Sequence, residues 1–282
     1  MDQKIALLTD STSDIPKEIL EEKQIHSLPL KIIYKDKQYT DRVDIQPEEI
    51  YNRFAEEIPS TSMPSPNDAT NILLKLKEEG FTHVIAVHIS SGLSGTYNMV
   101  RMIAQQVEGI TVEVIDSKAL SMGLGRLVLY AADLIEKGLN FADIIKKIEK
   151  KMNNTEVFFV VKSLKYLIEG GRIGKVSGTI GELLNLKPII SIDDDGQYYT
   201  LKKSRGRKKS INTIYNIVKD KITEGISTVD VMHGAAYEEA KELLEKIKKI
   251  DNVKDTFFGQ IGPSMVVHTG PGLIGIVVSK VD

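Results

Sequence analysis

The sequence predicts an α/β fold in two parts: an N-terminal parallel-sheet domain over residues 1–153 and a C-terminal α+β domain with a mostly antiparallel sheet over 154–282. Three observations carry this. Short β-branched runs alternate with segments of helical period in the first half, the pattern of βαβ units. Beyond the polar stretch Glu149 to Asn154, strands follow one another through tight turns, with Asp195-Gly196 as the clearest hairpin signal. That polar stretch is where the domain boundary falls.

The elements follow in order. Lys4 to Leu8 reads as a first strand, and Pro16 suits the first turn of a short helix that Asp14 is placed to cap. Leu28 to Tyr34 and Lys37 to Thr40 read as a hairpin around Lys35-Asp36, and Pro47 opens a helix ending near Ile58. Ser60 to Pro66 contains two prolines and is excluded from helix. A helix from Asn67 stops at Gly80. Val84 to Ile89 is a strand, Ser90 to Gly95 a tight loop, Thr96 to Gln106 a helix and Val112 to Ile115 a strand. Helices over Leu120 to Lys137 and Phe141 to Lys151 complete the first half. In the second, strands are expected at Glu156 to Val161, Pro188 to Ile192, Gln197 to Lys202, Thr228 to Met232, Lys254 to Phe258 and Leu273 to Ser279, with helices over Ser210 to Thr223 and Glu238 to Lys249.

Composition excludes several classes of function. With 41% hydrophobic and 27% charged residues in 282, the chain has the balance of a folded globular protein. A net charge of -2 offers no global attraction for nucleic acid or an acidic membrane. The chain has no cysteine, so it forms no disulfide and performs no thiolate chemistry. The start MDQKIALLTD is too weakly apolar for a secretion signal, and the longest apolar runs are of strand length. A cytoplasmic location, with no transmembrane segment, is the expectation.

Five stretches have residues suited to chemistry. Ser90-Ser91-Gly92-Leu93-Ser94-Gly95-Thr96 stands between a strand and a helix, where hydroxyls and free helix N–H groups suit an oxyanion. It is neither a nucleophile elbow nor a dinucleotide fingerprint. Thr61-Ser62-Met63-Pro64-Ser65 offers hydroxyls on a backbone stiffened by proline. His268 sits among glycines and prolines in Gly262 to Gly272, read as a loop at a strand end, where an imidazole can donate to a carboxylate. Gly170-Gly171-Arg172-Ile173-Gly174-Lys175 resembles a P-loop superficially, but Val176 replaces the required hydroxyl. The basic run Lys202 to Lys209 lacks interleaved aromatics, so a docking patch for an acidic partner or a phosphate is favoured over nucleic acid. No spacing of His, Asp or Glu suits a metal.

Taken together, and adding Thr9 to Asp14, Asp116-Ser117, Leu186-Lys187-Pro188 and His268-Thr269-Gly270-Pro271-Gly272, these stretches resemble the DegV family of bacterial fatty-acid-binding proteins. The resemblance spans nearly the whole chain in the family's order. It implies a single long-chain fatty acid held between the two domains and presented to a separate fatty acid kinase for acyl-phosphate formation. By motif position, Thr61 and Ser94 would hydrogen-bond the carboxylate, with Ser62 and His268 beside them. Arg172 would support the site and Arg205 would help meet the kinase or the phosphate. The implied protein is a carrier, not an enzyme, with no cofactor besides the bound fatty acid and at most transient membrane contact.

Two other readings compete. The pocket could take another apolar carboxylic acid. Alternatively Ser94 and His268, with Asp10 or Asp116 orienting the imidazole, could form a hydrolase or acyltransferase.

Overall fold

The structure, a computed structural model, describes residues 3–182 and 186–281. The first half contains β1 (Ile5–Asp10), a 3-10 turn (Ser11–Ser13), α1 (Lys17–Glu22), β2 (Ile25–Leu28), β3 (Lys31–Ile33), β4 (Gln38–Thr40), α2 (Pro47–Arg53) and β5 (Ser60–Ser62). It continues with α3 (Pro66–Glu78), β6 (His83–His88), α4 (Thr96–Ala104), β7 (Thr111–Asp116), α5 (Met122–Glu136) and α6 (Phe141–Met152). Strands β2-β1-β6-β7 form an all-parallel sheet. Its central strand β6 is buried from Val84 to His88 because both sheet faces are covered, which is why its sequence runs apolar without alternation. Helix α3 starts sharply: Pro66 occupies the first turn, and Ser65 and Asp68 cap each other's amides.

The second half contains β8 (Thr155–Val160), α7 (Lys165–Glu169), a 3-10 segment (Gly174–Glu182), β9 (Ile189–Ile192), β10 (Tyr198–Lys202), α8 (Arg207–Ile222) and β11 (Ser227–Gly234). It ends with α9 (Tyr237–Ile247), β12 (Val253–Gln260), α10 (Pro263–Thr269) and β13 (Leu273–Lys280). Its six-stranded sheet has the order β10-β9-β8-β13-β11-β12, antiparallel throughout except for the β11–β12 pair. The predicted fold class is therefore the observed one. Among the described residues, no helix is long and apolar enough to cross a membrane.

The two sheets enclose α5, which packs on β1 and β6 from one side and on β8 and β13 from the other. A helix covered by sheets on two sides is apolar on both, and Leu124, Leu127, Val128 and Ala131 are fully buried. Two glycines let the layers close. A Cβ at Gly123 would meet Val157 at 2.4 Å, and one at Gly125 would meet the Ser13 carbonyl at 2.6 Å. The central apolar cluster runs unbroken from Ile15, Ile85 and Leu120 to Phe159, Met265 and Val277, so the halves on either side of residue 153 share one core. On the outer faces, α3 and α4 cover the parallel sheet, and α8 and α9 the other.

Four local expectations are corrected. His268 lies on helix α10 and not in a loop; Pro263 at its first turn and Gly270 after its end bound a seven-residue helix too short to show a period. Asp14 does not cap α1, whose N-cap is Pro16; its carboxylate is engaged by Arg42, Ser121 and the Gly262 amide. The run Leu28 to Tyr34 is divided between two sheets, β2 in the parallel sheet and β3 in a small antiparallel sheet of order β4-β3-β5. The helix opened by Pro47 ends at Arg53.

Candidate functional site

Thr61 and Ser62 belong to β5, which pairs antiparallel with β3 at Ile32 and Lys31. The pairing fixes this proline-flanked segment as an extended edge strand. Ser94 lies in the loop between β6 and α4, and that loop is held rigidly. Asp10 accepts from the Ile89 amide at 3.0 Å, Asp116 accepts from the Ser91 amide and hydroxyl, and Ser90 Oγ donates to the Gly196 carbonyl at 2.8 Å. The hydroxyls of this motif thus have two jobs. Ser90 and Ser91 fasten the loop, and Ser94 lines a cavity, its Oγ 2.9 Å from Thr96 Oγ1.

That cavity has a volume of about 280 Å³ and lies between the two halves. Thr61, Ser62, Ser94, Arg172, Ser264 and His268 supply its polar wall, and Leu30, Met63, Ile89, Leu93, Tyr198 and Met265 are among its apolar lining. The structure therefore brings five of the six predicted site residues to one place. Arg205 is not among them; it is exposed and bridges to Leu186. Ser264 was missed as a candidate because its helix was missed. Its Oγ is buried, has no partner and lines the cavity, four residues before His268 and so on the same helical face.

The histidine is 8% exposed, and its Nε2 lies 2.7 Å from Thr61 Oγ1. Burial, reinforced by the Arg172 charge, pushes its pKa down to about 4, so the ring is neutral near pH 7. Among the described residues its buried Nδ1 finds no partner. A buried N–H left unpaired is costly, so the single ring proton belongs on Nε2, where Thr61 Oγ1 accepts it. That bond uses the acceptor side of the threonine hydroxyl and leaves the Thr61 O–H proton free to donate to an anion.

Arg172 donates to the Gly170 carbonyl at 2.8 Å and, at 3.3 Å, to that of Leu93. It is the only charged residue among the described cavity lining, so a neutral imidazole and three or more hydroxyls stand around one cation. A second, narrower chamber of about 30 Å³ adjoins, sharing Tyr198, Met265 and Thr269 as walls. It is apolar, lined by Leu120, Val157, Phe159, Met232 and Leu273, and reaches the inner face of the six-stranded sheet. One end of the combined space suits an anion, the other hydrocarbon.

The hydrolase arrangement is not assembled. Ser94 engages Thr96, Asp10 accepts from His88, Asp116 holds Ser91 and Lys118, and among the described residues no carboxylate touches His268.

An α/β scaffold of two helix-covered sheets, with a cavity between its halves that is polar at one end and apolar at the other, defines a class of small-molecule binding proteins. The match to the family model described as "Uncharacterised protein, DegV family" covers residues 4–281, and this chain belongs to the DegV family. It is 47% identical over 278 residues to a DegV domain-containing protein of Clostridium acetobutylicum, covering 99% of each chain. Among solved structures it superposes with TM-score 0.94 on a fatty-acid-binding DegV family protein of Thermus thermophilus, at 30% identity and covering 99% of this chain and 100% of that one. With DegV of Bacillus subtilis, described as a fatty acid binding protein, the values are 0.92, 31%, 99% and 100%.

Proposed function

We propose that this protein binds one long-chain fatty acid, with the carboxylate at the Thr61, Ser62, Ser94 and His268 wall and the tail directed toward the chamber beneath Met265 and Tyr198. One observation carries the reading: hydroxyls, a neutral imidazole and the Arg172 cation converge at one end of a cavity whose other end is hydrocarbon. Each buried methylene contributes ~0.8 kcal/mol, so a tail of ~14 methylenes gains on the order of 11 kcal/mol gross, largely offset by lost motion. The inner chamber of about 30 Å³ is narrower than such a tail, and Met232 and Met265 are the flexible walls suited to open it.

In this reading the protein is a carrier, and a separate fatty acid kinase phosphorylates the presented carboxylate. The exposed cations Lys202, Arg205, Lys208 and Lys209, at the end of β10 and the start of α8, are suited to an acidic partner surface. The engagement of Ser94, Asp10 and Asp116 by Thr96, His88 and Ser91 favours the carrier over the hydrolase. The test is equilibrium binding of radiolabelled long-chain fatty acid to the native chain, to Ser94→Ala and to Arg172→Met. Saturable binding at one site, weakened in both variants, is expected; native affinity in both variants would remove the assignment of the carboxylate end.

A further inference from the structure

Thr9 to Asp14 contributes no side chain to the cavity lining, yet its side chains are buried and those of Asp10, Ser11, Thr12 and Asp14 are hydrogen-bonded. Its partners explain why. Asp14, in the left-handed region at φ 56, accepts from Arg42 Nη2, from Ser121 Oγ at 2.5 Å and from the Gly262 amide at 2.9 Å. Asp41 is 1% exposed; it accepts from Ser11 Oγ at 2.6 Å and from the Ser264 amide at 3.3 Å. Gly262 and Ser264 are the N-cap and second residue of α10.

The first amides of a helix have no partner within it and are ordinarily satisfied by a capping side chain. Here the N-cap is glycine, which has none. Two carboxylates from segments more than 220 residues away take that role, and each also favours the helix N-terminus electrostatically. The fit is close, since a Cβ at Gly262 would lie 2.6 Å from Arg42 Nε. His268 is four residues on from Ser264, about 6 Å along the axis.

We infer that Asp14 and Asp41 are positioning residues that brace α10 against the N-terminal half, setting the distance at which His268 meets Thr61. Neither Asp14 nor Asp41 is among the described lining of the two chambers, so they act through the helix. The groups facing the two carboxylates are Arg42, Ser11, Ser121 and the α10 amides, so the brace contains one cation for two acids. The inference rests on the proposed carboxylate site for its functional meaning. The geometry of the brace itself can be tested without any ligand.

The experiment is long-range 1H–15N NMR of the His268 ring, with amide hydrogen exchange, on the ligand-free full chain and on Asp41→Ala. The native ring is expected as the neutral Nε2–H form, with slow exchange at the Gly262 and Ser264 amides. In Asp41→Ala the ring signal should broaden or shift, and added fatty acid should bind about tenfold more weakly, the worth of one hydrogen bond to a charged group. Asp41→Asn, whose carbonyl still accepts from Ser264, should restore the ring signal. A native ring signal and native affinity in Asp41→Ala would overturn the inference. So would free-amide exchange rates at Gly262 and Ser264 in the native protein, which decides the matter even if the alanine variant does not fold. A native chain that takes up no fatty acid would remove the functional reading and leave the ring and exchange results to judge the brace.

Discussion

His268 Nε2 and Thr61 Oγ1, 207 residues apart in the chain, meet at 2.7 Å, and this contact joins helix α10 of the second half to the edge strand β5 of the first. It sits where the cavity's polar wall crosses from one half to the other. The bond fixes the imidazole as a donor and the threonine hydroxyl as a donor toward the cavity. Removing the hydroxyl should therefore do two things at once.

Thr61→Val is expected to weaken fatty-acid binding by about 10- to 100-fold, through loss of a hydrogen bond to a charged group and an unpaired imidazole N–H. Its circular dichroism should remain native. Titration with a fluorescent fatty-acid analogue, read against the native chain, measures the change.

Gly170 and Gly171 separate site geometry from backbone strain. A Cβ at Gly170 would stand 2.2 Å from His268 Nδ1, whereas one at Gly171 meets nothing within 4 Å but sits at φ +67. Gly170→Ala should displace the imidazole and lower affinity by at least about tenfold. Gly171→Ala should cost roughly 1–2 kcal/mol of stability and leave affinity near native. Paired urea denaturation and binding curves distinguish the two.

The pH dependence of Asp41 has a definite sign. Burial raises its pKa from 3.8 to about 6, so the folded state holds this proton more tightly than the unfolded chain. Its contribution to stability is complete below pH 3.8 and falls as pH rises through 6. His268, lowered to about 4, works oppositely: stability rises with pH between 4 and 6.5. The stability difference between Asp41→Asn and the native protein should thus move in the variant's favour by about 2 kcal/mol from pH 4 to 7. Urea midpoints across that range report it.

Arg126 of α5 and Asp230 of β11 form a buried bidentate pair between the central helix and the six-stranded sheet, with Nε–Oδ2 at 2.8 Å and the carboxylate fully buried. Arg126→Leu alone should destabilise by about 3–5 kcal/mol because it strands a buried charge. The double variant Arg126→Leu/Asp230→Leu should recover most of that loss, as measured by the same denaturation.

Much of this architecture was legible in the sequence because its signals are local. Unbroken apolar runs such as that of β6 mark the parallel sheet, Pro66 and Gly80 bracket α3, and Asp195-Gly196 makes the β9–β10 turn. Helix α10 was not legible, since Pro-Ser-Met-Val-Val-His-Thr completes barely two turns. The β3–β4 hairpin around Lys35-Asp36 was legible, but β5, three residues flanked by proline, was too short to alternate visibly. The roles of Asp14, Asp41 and Arg42 depend on partners far along the chain, which no spacing rule reveals. For the same reason the motif Thr9 to Asp14 belongs to the family resemblance while supplying none of the cavity lining.

Native and denaturing mass spectrometry of the purified full chain, with analysis of its solvent extract, tests the central claim most directly. The account predicts one long-chain fatty acid per chain under native conditions, released intact on denaturation, with the same mass restored when the stripped protein is given that acid. A chain that carries none and takes up none would contradict it, as would a mass increment that survives denaturation and maps to Ser94.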